Sequence, residues 1–204
     1  MPRTPTRRRL VFLGSIVLSA ILYFLPNEIT QSKQPAQTQS QSQEYYYIKR
    51  VVDGDTFILS NGEKVRLTGI DTPESHDNPK ARKDSLRTGK DLLAITIQGK
   101  EAARFVRKLA EGKKIRIEYD VQKRDRYGRL LIYAYDIDTL KNNAQIVLPK
   151  GMVVNASKEI FLNGSIIGSG YAVPLTIPPN VKHAKLLKEL YSEARVNRRG
   201  LWAE

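Results

Sequence analysis

Four acidic residues lie in the stretch DGDTFILSNGEKVRLTGIDTPES, residues 53 to 75: Asp53, Asp55, Asp71 and Glu74. Carboxylates held near one another repel unless a cation neutralises them. Ligand sets made only of oxygen are typical of sites for hard cations such as calcium or magnesium. The stretch therefore predicts a metal site that keeps coordination positions open for water and for a substrate oxygen.

The same stretch is predicted to form a β-hairpin, because Asn61-Gly62 separates the strand-like runs TFILS and KVRLTGI. A two-residue turn at Asn61-Gly62 pairs residue 60 with residue 63. This register places Asp55 opposite Thr68 and brings Asp71 to the same end of the hairpin. The two aspartates are thus expected to meet at one site.

Two arginines accompany the carboxylates, Arg66 within the hairpin and Arg129 at the end of the turn-like sequence RDRYGR. Guanidinium groups bind phosphate oxygens and stabilise charge that develops on phosphorus, so this combination indicates phosphodiester hydrolysis. Strand alternation puts Arg66 and Asp71 on opposite faces, and Gly69 is the predicted bend that would reunite them. Spacing alone leaves an alternative open, in which the aspartates are turn and cap residues and Arg66 is a solvated strand residue.

The composition favours an anionic partner. Lys and Arg total 34 against 21 Asp and Glu, which gives a formal net charge of +13. Such a balance suits nucleic acid or a membrane surface, although a generally basic soluble surface also explains it. The chain has no cysteine, which excludes disulfides, thiolate metal sites and cysteine nucleophiles. Its two histidines, His76 and His183, argue against a zinc site with several histidine ligands.

The N-terminal residues have the layout of an export signal. Basic residues 1–9 precede the uncharged apolar run LVFLGSIVLSAILYFL at 10–25. Residues 1–26 are thus predicted to be a signal peptide or a signal anchor, and the absence of an obvious cleavage site favours an uncleaved anchor. The remaining chain is then expected to be extracytoplasmic, tethered to the membrane or secreted if cleaved. The Gln/Ser-rich residues 27–44 are predicted to be a disordered linker.

The rest of the chain mixes strand and helix patterns. Strands are predicted at 45–52, 113–120 and 129–136, besides the hairpin, and helices at 100–111 and 183–195. The helices do not alternate regularly with strands, which favours an α+β fold with mainly antiparallel β structure. A small barrel is the closed form of such a sheet.

Residues 45–204 resemble the thermonuclease family, the staphylococcal nuclease-like domains. The resemblance is carried by VVDGDTFIL, VRLTGIDTPES, GKEAARFVRKL, KKIRIEYD, RDRYGRLLIYAY and EARVNRRGLWAE. It implies an OB-fold, a five-stranded barrel with packed helices. It also implies a calcium-dependent nuclease that acts on DNA and RNA and leaves 3′-phosphate ends. The protein is expected to be a monomer. A non-catalytic OB-type nucleic-acid-binding module is the alternative function.

The resemblance also implies roles for individual residues. Asp55 and Asp71 correspond to calcium ligands, and Thr72 corresponds to a residue that contributes its backbone carbonyl. Asp53 corresponds to an acid near the metal. The catalytic residues correspond to Glu74 as general base and to Arg66 and Arg129 as phosphate-binding arginines that stabilise the transition state.

Two segments depart from the family pattern. Residues 75–98 form a longer loop on the expected substrate side, and four of its basic residues are candidate phosphate contacts: Lys80, Arg82, Lys83 and Arg87. A solvated basic loop is the alternative. An extra stretch at 136–158 is predicted to add a hairpin to the barrel.

Tyr127 and Tyr133 are candidate base contacts, with a core position as the alternative.

Overall fold

A computed structural model describes residues 43–142 and 147–203. Its strands are β1 (Glu44–Asp53), β2 (Thr56–Leu59), β3 (Lys64–Leu67), β4 (Gly69–Asp71), β5 (Lys114–Glu118), β6 (Leu130–Asp136), β7 (Ile160–Phe161) and β8 (Val173–Leu175). Its helices are α1 (Pro79–Thr88), α2 (Leu92–Ala110), α3 (Thr139–Asn142), α4 (Leu162–Gly168) and α5 (Ala184–Val196), followed by a 3₁₀ turn at Gly200–Trp202. The predicted strands and the two predicted helices are therefore confirmed, and α2 begins earlier than expected.

Five strands close into a barrel. Their order is β3-β2-β1-β5-β6, and a parallel pairing of β3 with β6 completes the ring. The other four barrel pairings are antiparallel. Strand β7 extends the sheet beyond β6, while β4 and β8 form a separate two-stranded sheet. The predicted α+β barrel of OB type is thus confirmed, with one parallel pairing where the sequence suggested antiparallel structure.

The barrel interior is filled by alternate residues of its strands. Ile48, Phe57, Val65, Ile115 and Ile132 are all fully buried, because successive side chains of a strand point to opposite faces. Helices α2, α4 and α5 add apolar side chains to the same core, among them Val106, Ile166 and Leu187. This packing fixes the ends of the strands, where the acidic residues lie.

The hairpin between β2 and β3 has a three-residue loop, not the predicted two-residue turn. Leu59 N donates to Glu63 O at 2.9 Å, and Gly62 N donates to Leu59 O at 2.9 Å. Gly62 has φ +86°, the left-handed residue that three-residue hairpin loops require. The register shifts by one residue, so Leu67 N donates to Asp55 O at 2.9 Å and the predicted pairing of Asp55 with Thr68 is wrong.

Of two predictions about segments between elements, one is wrong and the other is tested only in part. The stretch 75–98 is not a loop, since it contains α1 and the first turns of α2. The extra stretch 136–158 begins with α3, and its GMVV run at 151–154 pairs with β7, where Phe161 N donates to Val153 O at 2.8 Å. The predicted additional hairpin is not tested as a whole, because residues 144–146 of its first apolar run lie outside the described residues.

The predicted signal or anchor and most of the predicted linker fall outside the described residues. Across 43–142 and 147–203, no helix combines the length and the apolar character needed to cross a membrane.

Candidate active site

Asp55 is fixed by the first residue after β4. Its Oδ2 accepts hydrogen bonds from Thr72 N at 3.0 Å and from Thr72 Oγ1 at 3.1 Å, and both residues are buried. Gly54 permits this approach, because a Cβ at that position would lie 2.7 Å from the Thr72 side chain. In the DGD sequence, Gly54 and Asp55 therefore pack directly against Thr72, and this packing fixes the position of the Asp55 carboxylate.

Arg66 joins the two candidate ligands Asp55 and Asp71. Its Nη1 lies 2.5 Å from Asp55 Oδ2, and its Nη2 lies 2.7 Å from Asp71 Oδ1. The predicted bend is confirmed, since Gly69 has φ +82° and begins β4 two residues after the end of β3. Arg66 Nη1 nevertheless has no hydrogen-bond acceptor among the described residues, because its close approach to Asp55 lacks hydrogen-bond geometry.

Both carboxylate oxygens of Glu74 have donors from the start of α1. Lys80 Nζ lies 2.6 Å from Glu74 Oε1, and Asn78 Nδ2 donates to Glu74 Oε2 at 2.7 Å. The backbone of Glu74 is packed against α2 at Gly99, where a Cβ would lie 2.2 Å from the Glu74 carbonyl oxygen. The side chain and the backbone of Glu74 are therefore positioned by two different helices.

Lys80 also reaches the other members of the acidic cluster. Its Nζ lies 3.0 Å from Asp71 Oδ1 and donates to the Thr72 carbonyl at 3.3 Å. Burial alone would lower the pKa of Lys80, but the carboxylates of Asp71 and Glu74 raise it above its ordinary value. Lys80 is therefore a cation at neutral pH.

The cluster destabilises some of its own charges. Burial raises the pKa of Asp53 to about 6, and the neighbouring Asp55 adds to the increase. Burial also raises the pKa of Asp71, against the opposing effect of Lys80. The ionised form of such a desolvated carboxylate is stabilised when a further cation approaches.

The donor set fits a hard divalent cation. Asp55 and Asp71 both contact Arg66, while Asp71 and the Thr72 carbonyl both contact the Lys80 ammonium, so each of the three oxygen donors lies beside a positively charged group. No cluster of three or more acidic, histidine or cysteine side chains with metal-binding geometry occurs in 43–142 and 147–203. A site of two carboxylates and one carbonyl leaves coordination positions for water and substrate, as calcium and magnesium accept.

Arg129 lies immediately before β6, beside the strand that carries Arg66. The parallel register pairs Arg66 with Leu131, two residues beyond Arg129, so alternation directs both arginines to one side of the sheet. Asp125 holds Arg129 in place, with Oδ2 accepting from Arg129 Nε at 2.7 Å. The Arg129 guanidinium also lies 5.5 Å from the ring centre of Tyr127, which is 68% exposed.

The remaining predicted contacts divide into three groups. Arg82 and Arg87 form surface ion pairs with Asp77 at 2.7 Å and Asp84 at 3.0 Å. Lys83 is exposed on α1 and has no ion-pair partner within the described part of the chain. Tyr133 is only 1% exposed and its hydroxyl donates to Asp120 at 3.2 Å, so its candidate role in base stacking is wrong and the core alternative holds.

A cavity of about 150 Å³ adjoins the cluster. Asp71 and Thr72 form one wall, and Arg87, Ile95 and Trp202 contribute to the others. The cavity therefore connects the candidate metal ligands to the side of α1 that carries basic residues.

Comparison with known proteins places the chain in a family. Residues 64–204 match the family described as staphylococcal nuclease homologue. The chain belongs to this family. It is 32% identical over 162 residues to a thermonuclease of Staphylococcus intermedius, covering 78% of this chain and 76% of that protein. It is 28% identical over 193 residues to a thermonuclease of Staphylococcus hyicus, covering 92% of this chain and 94% of that protein.

A further relative comes from another genus. The chain is 26% identical over 186 residues to endonuclease YncB of Bacillus subtilis (strain 168), covering 87% of this chain and 72% of that protein.

Three residues of this member of the staphylococcal nuclease homologue family were missed by the sequence reasoning: Asn78, Gly99 and Asp125. The Asn-Pro step at 78–79 is a helix-start signal that would have revealed α1, because asparagine caps helices and proline suits their first turn. Asp125, the acidic residue of the turn-like sequence RDRYGR, forms an Asx turn and also orients Arg129. No local signal identifies Gly99, whose role depends on tertiary packing.

Proposed function

We propose that this chain is a calcium-dependent nuclease that hydrolyses phosphodiester bonds of DNA and RNA and leaves 3′-phosphate ends. The observation that carries the proposal is one acidic cluster at an end of the barrel, in which Arg66 contacts Asp55 and Asp71, and Lys80 contacts Asp71 and Glu74. The chain that holds this cluster has a net charge of +13. The relatives named thermonuclease and endonuclease support the same activity.

Asp55, Asp71 and the Thr72 carbonyl would hold the calcium ion, with Asp53 nearby. When bound, the ion supplies positive charge that polarises the scissile phosphate. Oxygen donors and the absence of cysteine from the chain favour calcium or magnesium over softer metals.

Glu74 acts as the general base. It takes a proton from the attacking water as the water oxygen bonds to phosphorus, and the bond from phosphorus to the 5′ oxygen breaks. The phosphate stays on the 3′ oxygen, while the 5′ oxygen leaves and gains a proton from solvent. Asn78 and Lys80 hold the two Glu74 oxygens before reaction.

Arg66 and Arg129 stabilise the charge that builds on the phosphate oxygens. Arg66 lies beside the proposed metal ligands, with Nη1 2.5 Å from Asp55 Oδ2 and Nη2 2.7 Å from Asp71 Oδ1, which supports a role next to a metal-bound phosphate. Asp125 limits the rotation of Arg129, so less conformational entropy is lost when Arg129 binds phosphate. Exposed Tyr127 and the basic residues of α1 extend the surface along which a strand would lie.

The activity is proposed to be extracytoplasmic, exerted by a monomer that residues 10–25 tether to the membrane unless they are cleaved. This part of the proposal is supported by the basic residues 1–9 and by the apolar run that follows them. Cell fractionation before and after a protease shave of intact cells tests it, since an anchored external domain is released only by the protease.

Cleavage of labelled single-stranded DNA, duplex DNA and RNA by the full chain, with calcium and then with a chelator, tests the proposal. We expect cleavage that requires calcium and yields 3′-phosphate ends. The Arg129→Ala variant is expected to lower kcat by about 10²–10³, the usual cost of removing one transition-state donor. Arg124→Ala is the matched control, because Arg124 is an exposed arginine of the same loop that pairs with Glu63 at 2.9 Å.

The same experiment separates the nuclease from the alternative, a non-catalytic OB-type binding module. Binding measured by fluorescence anisotropy should weaken steeply with added salt for either function, because phosphate contacts release counterions. Binding that is unaffected by the chelator, together with no cleavage of any substrate, would establish the binding module and exclude the nuclease.

A further inference from the structure

Lys80 makes three contacts within the acidic cluster. Its Nζ lies 2.6 Å from Glu74 Oε1, 3.0 Å from Asp71 Oδ1 and 3.3 Å from the Thr72 carbonyl oxygen. Two of these groups are proposed calcium ligands and the third is the proposed base. One lysine thus engages both parts of the site that the reaction needs.

The start of α1 explains why Lys80 is held there. Pro79 begins the helix, and the Asn78 side-chain oxygen caps it by accepting a hydrogen bond from Ala81 N at 2.9 Å. Asn78 also donates to Glu74, so the backbone that carries Lys80 is fixed relative to the cluster. The Lys80 side chain is nevertheless 40% exposed, which gives its flexible chain a route to solvent.

The Lys80 ammonium contacts two of the proposed calcium ligands. A bound calcium ion would take the Asp71 carboxylate and the Thr72 carbonyl as oxygen ligands, and both of these groups lie within 3.3 Å of Lys80 Nζ. We propose that Lys80 is a tethered competitor of the divalent cation: the ion displaces the Lys80 ammonium from Asp71 and Thr72. The inference rests on the proposed function, because it takes Asp71 and Thr72 as ligands.

The displacement has a second effect. Lys80 also pairs with Glu74 Oε1, so its departure frees that oxygen for proton transfer. Calcium binding and release of the base are then linked through a single side chain. Without calcium, the ammonium neutralises the acidic cluster and the base stays paired.

Calcium affinity of the full chain, measured by isothermal titration with CaCl₂, is the first test. A lysine contact formed about 90% of the time weakens the apparent affinity about tenfold, because only the free site binds. We therefore expect Lys80→Met to lower the apparent Kd by about tenfold. Lys83→Met is the matched control, since Lys83 is an exposed lysine of the same helix and its loss removes the same charge.

Ionic strength distinguishes direct competition from a long-range charge effect. At about 1 M KCl the screening length falls to about 3 Å, so the field of a distant lysine is lost. We expect the affinity gain of Lys80→Met over the wild type to persist at that salt concentration. A gain that disappears in high salt, or one that Lys83→Met reproduces, would overturn the inference.

Chemical labelling of the wild-type chain gives a second readout that needs no variant. Acetylation of lysines, followed by mass spectrometry, measures how accessible each ammonium group is. We expect calcium to increase the labelling rate of Lys80 and to leave that of Lys83 unchanged. Equal rates with and without calcium, under conditions where titration shows calcium bound, would contradict the displacement.

The outcomes separate this inference from the proposed function. Calcium binding with the same Kd in wild type and Lys80→Met would overturn the inference alone and leave the calcium-dependent nuclease standing. Binding by Lys80→Met where the wild type binds weakly supports the inference. If neither protein binds calcium, both the inference and the calcium part of the proposed function are wrong.

Discussion

Arg66 Nη2 lies 2.7 Å from Asp71 Oδ1, although the alternation of a continuous strand would direct these two side chains to opposite faces. The contact depends on Gly69, whose φ of +82° ends β3 and starts β4 in a new direction. The bend therefore brings a candidate phosphate-binding arginine and a candidate metal ligand into one site.

Replacing Gly69 with alanine should destabilise the fold and the site together. A non-glycine residue at this φ costs about 1–2 kcal/mol, and the added Cβ would lie 2.5 Å from Leu187 Cδ1 in the core. We expect Gly69→Ala to lower the free energy of unfolding by more than that strain alone, as measured by urea denaturation.

Gly62→Ala is the control for Gly69→Ala. Gly62 has nearly the same φ, +86°, but a Cβ there would meet nothing within 4 Å. Its cost should thus be the backbone strain only. Equal losses of unfolding free energy in the two variants would show that the close approach of the added Cβ to Leu187 does not destabilise the fold.

The sequence was sufficient to predict the bend and the joining of Arg66 to Asp71, because both follow from strand periodicity and one glycine. It was not sufficient for the hairpin register. Asn61-Gly62 is compatible with a two-residue and a three-residue loop, and the choice shifts every cross-strand pair by one residue.

Contacts that depend on packing between segments distant in sequence could not be predicted from local sequence patterns either. Lys80 was predicted to face substrate phosphates from a loop, whereas α1 directs it into the acidic cluster. The sequence left Tyr133 either as a base contact or as a core residue, and packing against His183 and Phe161 decides for the core, with ring centres 4.5 Å and 6.2 Å away. Neither outcome is encoded in a short window of sequence.

Gly99→Ala tests whether the packing of α2 positions the proposed base. Helix propensity alone predicts that alanine stabilises α2 by about 0.8–1.0 kcal/mol. The added Cβ, however, would lie 2.2 Å from the Glu74 carbonyl oxygen, so the backbone of Glu74 must move. We expect a net loss of unfolding free energy and a fall in kcat of at least about tenfold, because small displacements of a catalytic group are costly.

The neighbouring Lys100→Ala substitution is the control for Gly99→Ala, because Lys100 is an exposed residue of the same helix. It should leave both stability and kcat near their wild-type values. If Gly99→Ala raises stability, as propensity alone would predict, then the close packing against Glu74 is not a constraint.

Asn78 has two contacts that substitution can separate. Its side-chain oxygen caps α1, and its amide donates to Glu74 Oε2 at 2.7 Å. Serine is also a good cap but cannot replace the amide donor, so Asn78→Ser should keep the stability of α1 while the orientation of Glu74 is lost. We expect a lower kcat and an altered pH profile of kcat, with a melting temperature close to that of the wild type.

Asn78→Ala removes both contacts and completes this comparison. Loss of the cap should cost about 1 kcal/mol of stability beyond that of Asn78→Ser. An Asn78→Ser variant with wild-type kcat and an unchanged pH profile would show that the amide does not position the base.

The pH dependence of stability should report on Glu118, which lies away from the acidic cluster. Glu118 Oε1 is 3.0 Å from His183 Nε2 and 2.9 Å from Lys182 Nζ. Burial alone would raise the pKa of Glu118, but the hydrogen bonds from His183 and Lys182 lower it from 4.5 to about 2. A carboxylate with a depressed folded-state pKa stabilises the protein above its unfolded pKa, and this contribution is lost as pH falls towards the folded value.

We therefore expect the free energy of unfolding to decline between about pH 4.5 and pH 2, and the decline to be shallower in Glu118→Gln, where this group no longer titrates. Urea denaturation at a series of pH values measures the slope. Glu189→Gln is the matched control, because Glu189 is an exposed carboxylate on α5. If Glu118→Gln and Glu189→Gln retain the same slope as the wild type, the acid sensitivity arises elsewhere and the pairing of Glu118 with His183 does not stabilise the fold.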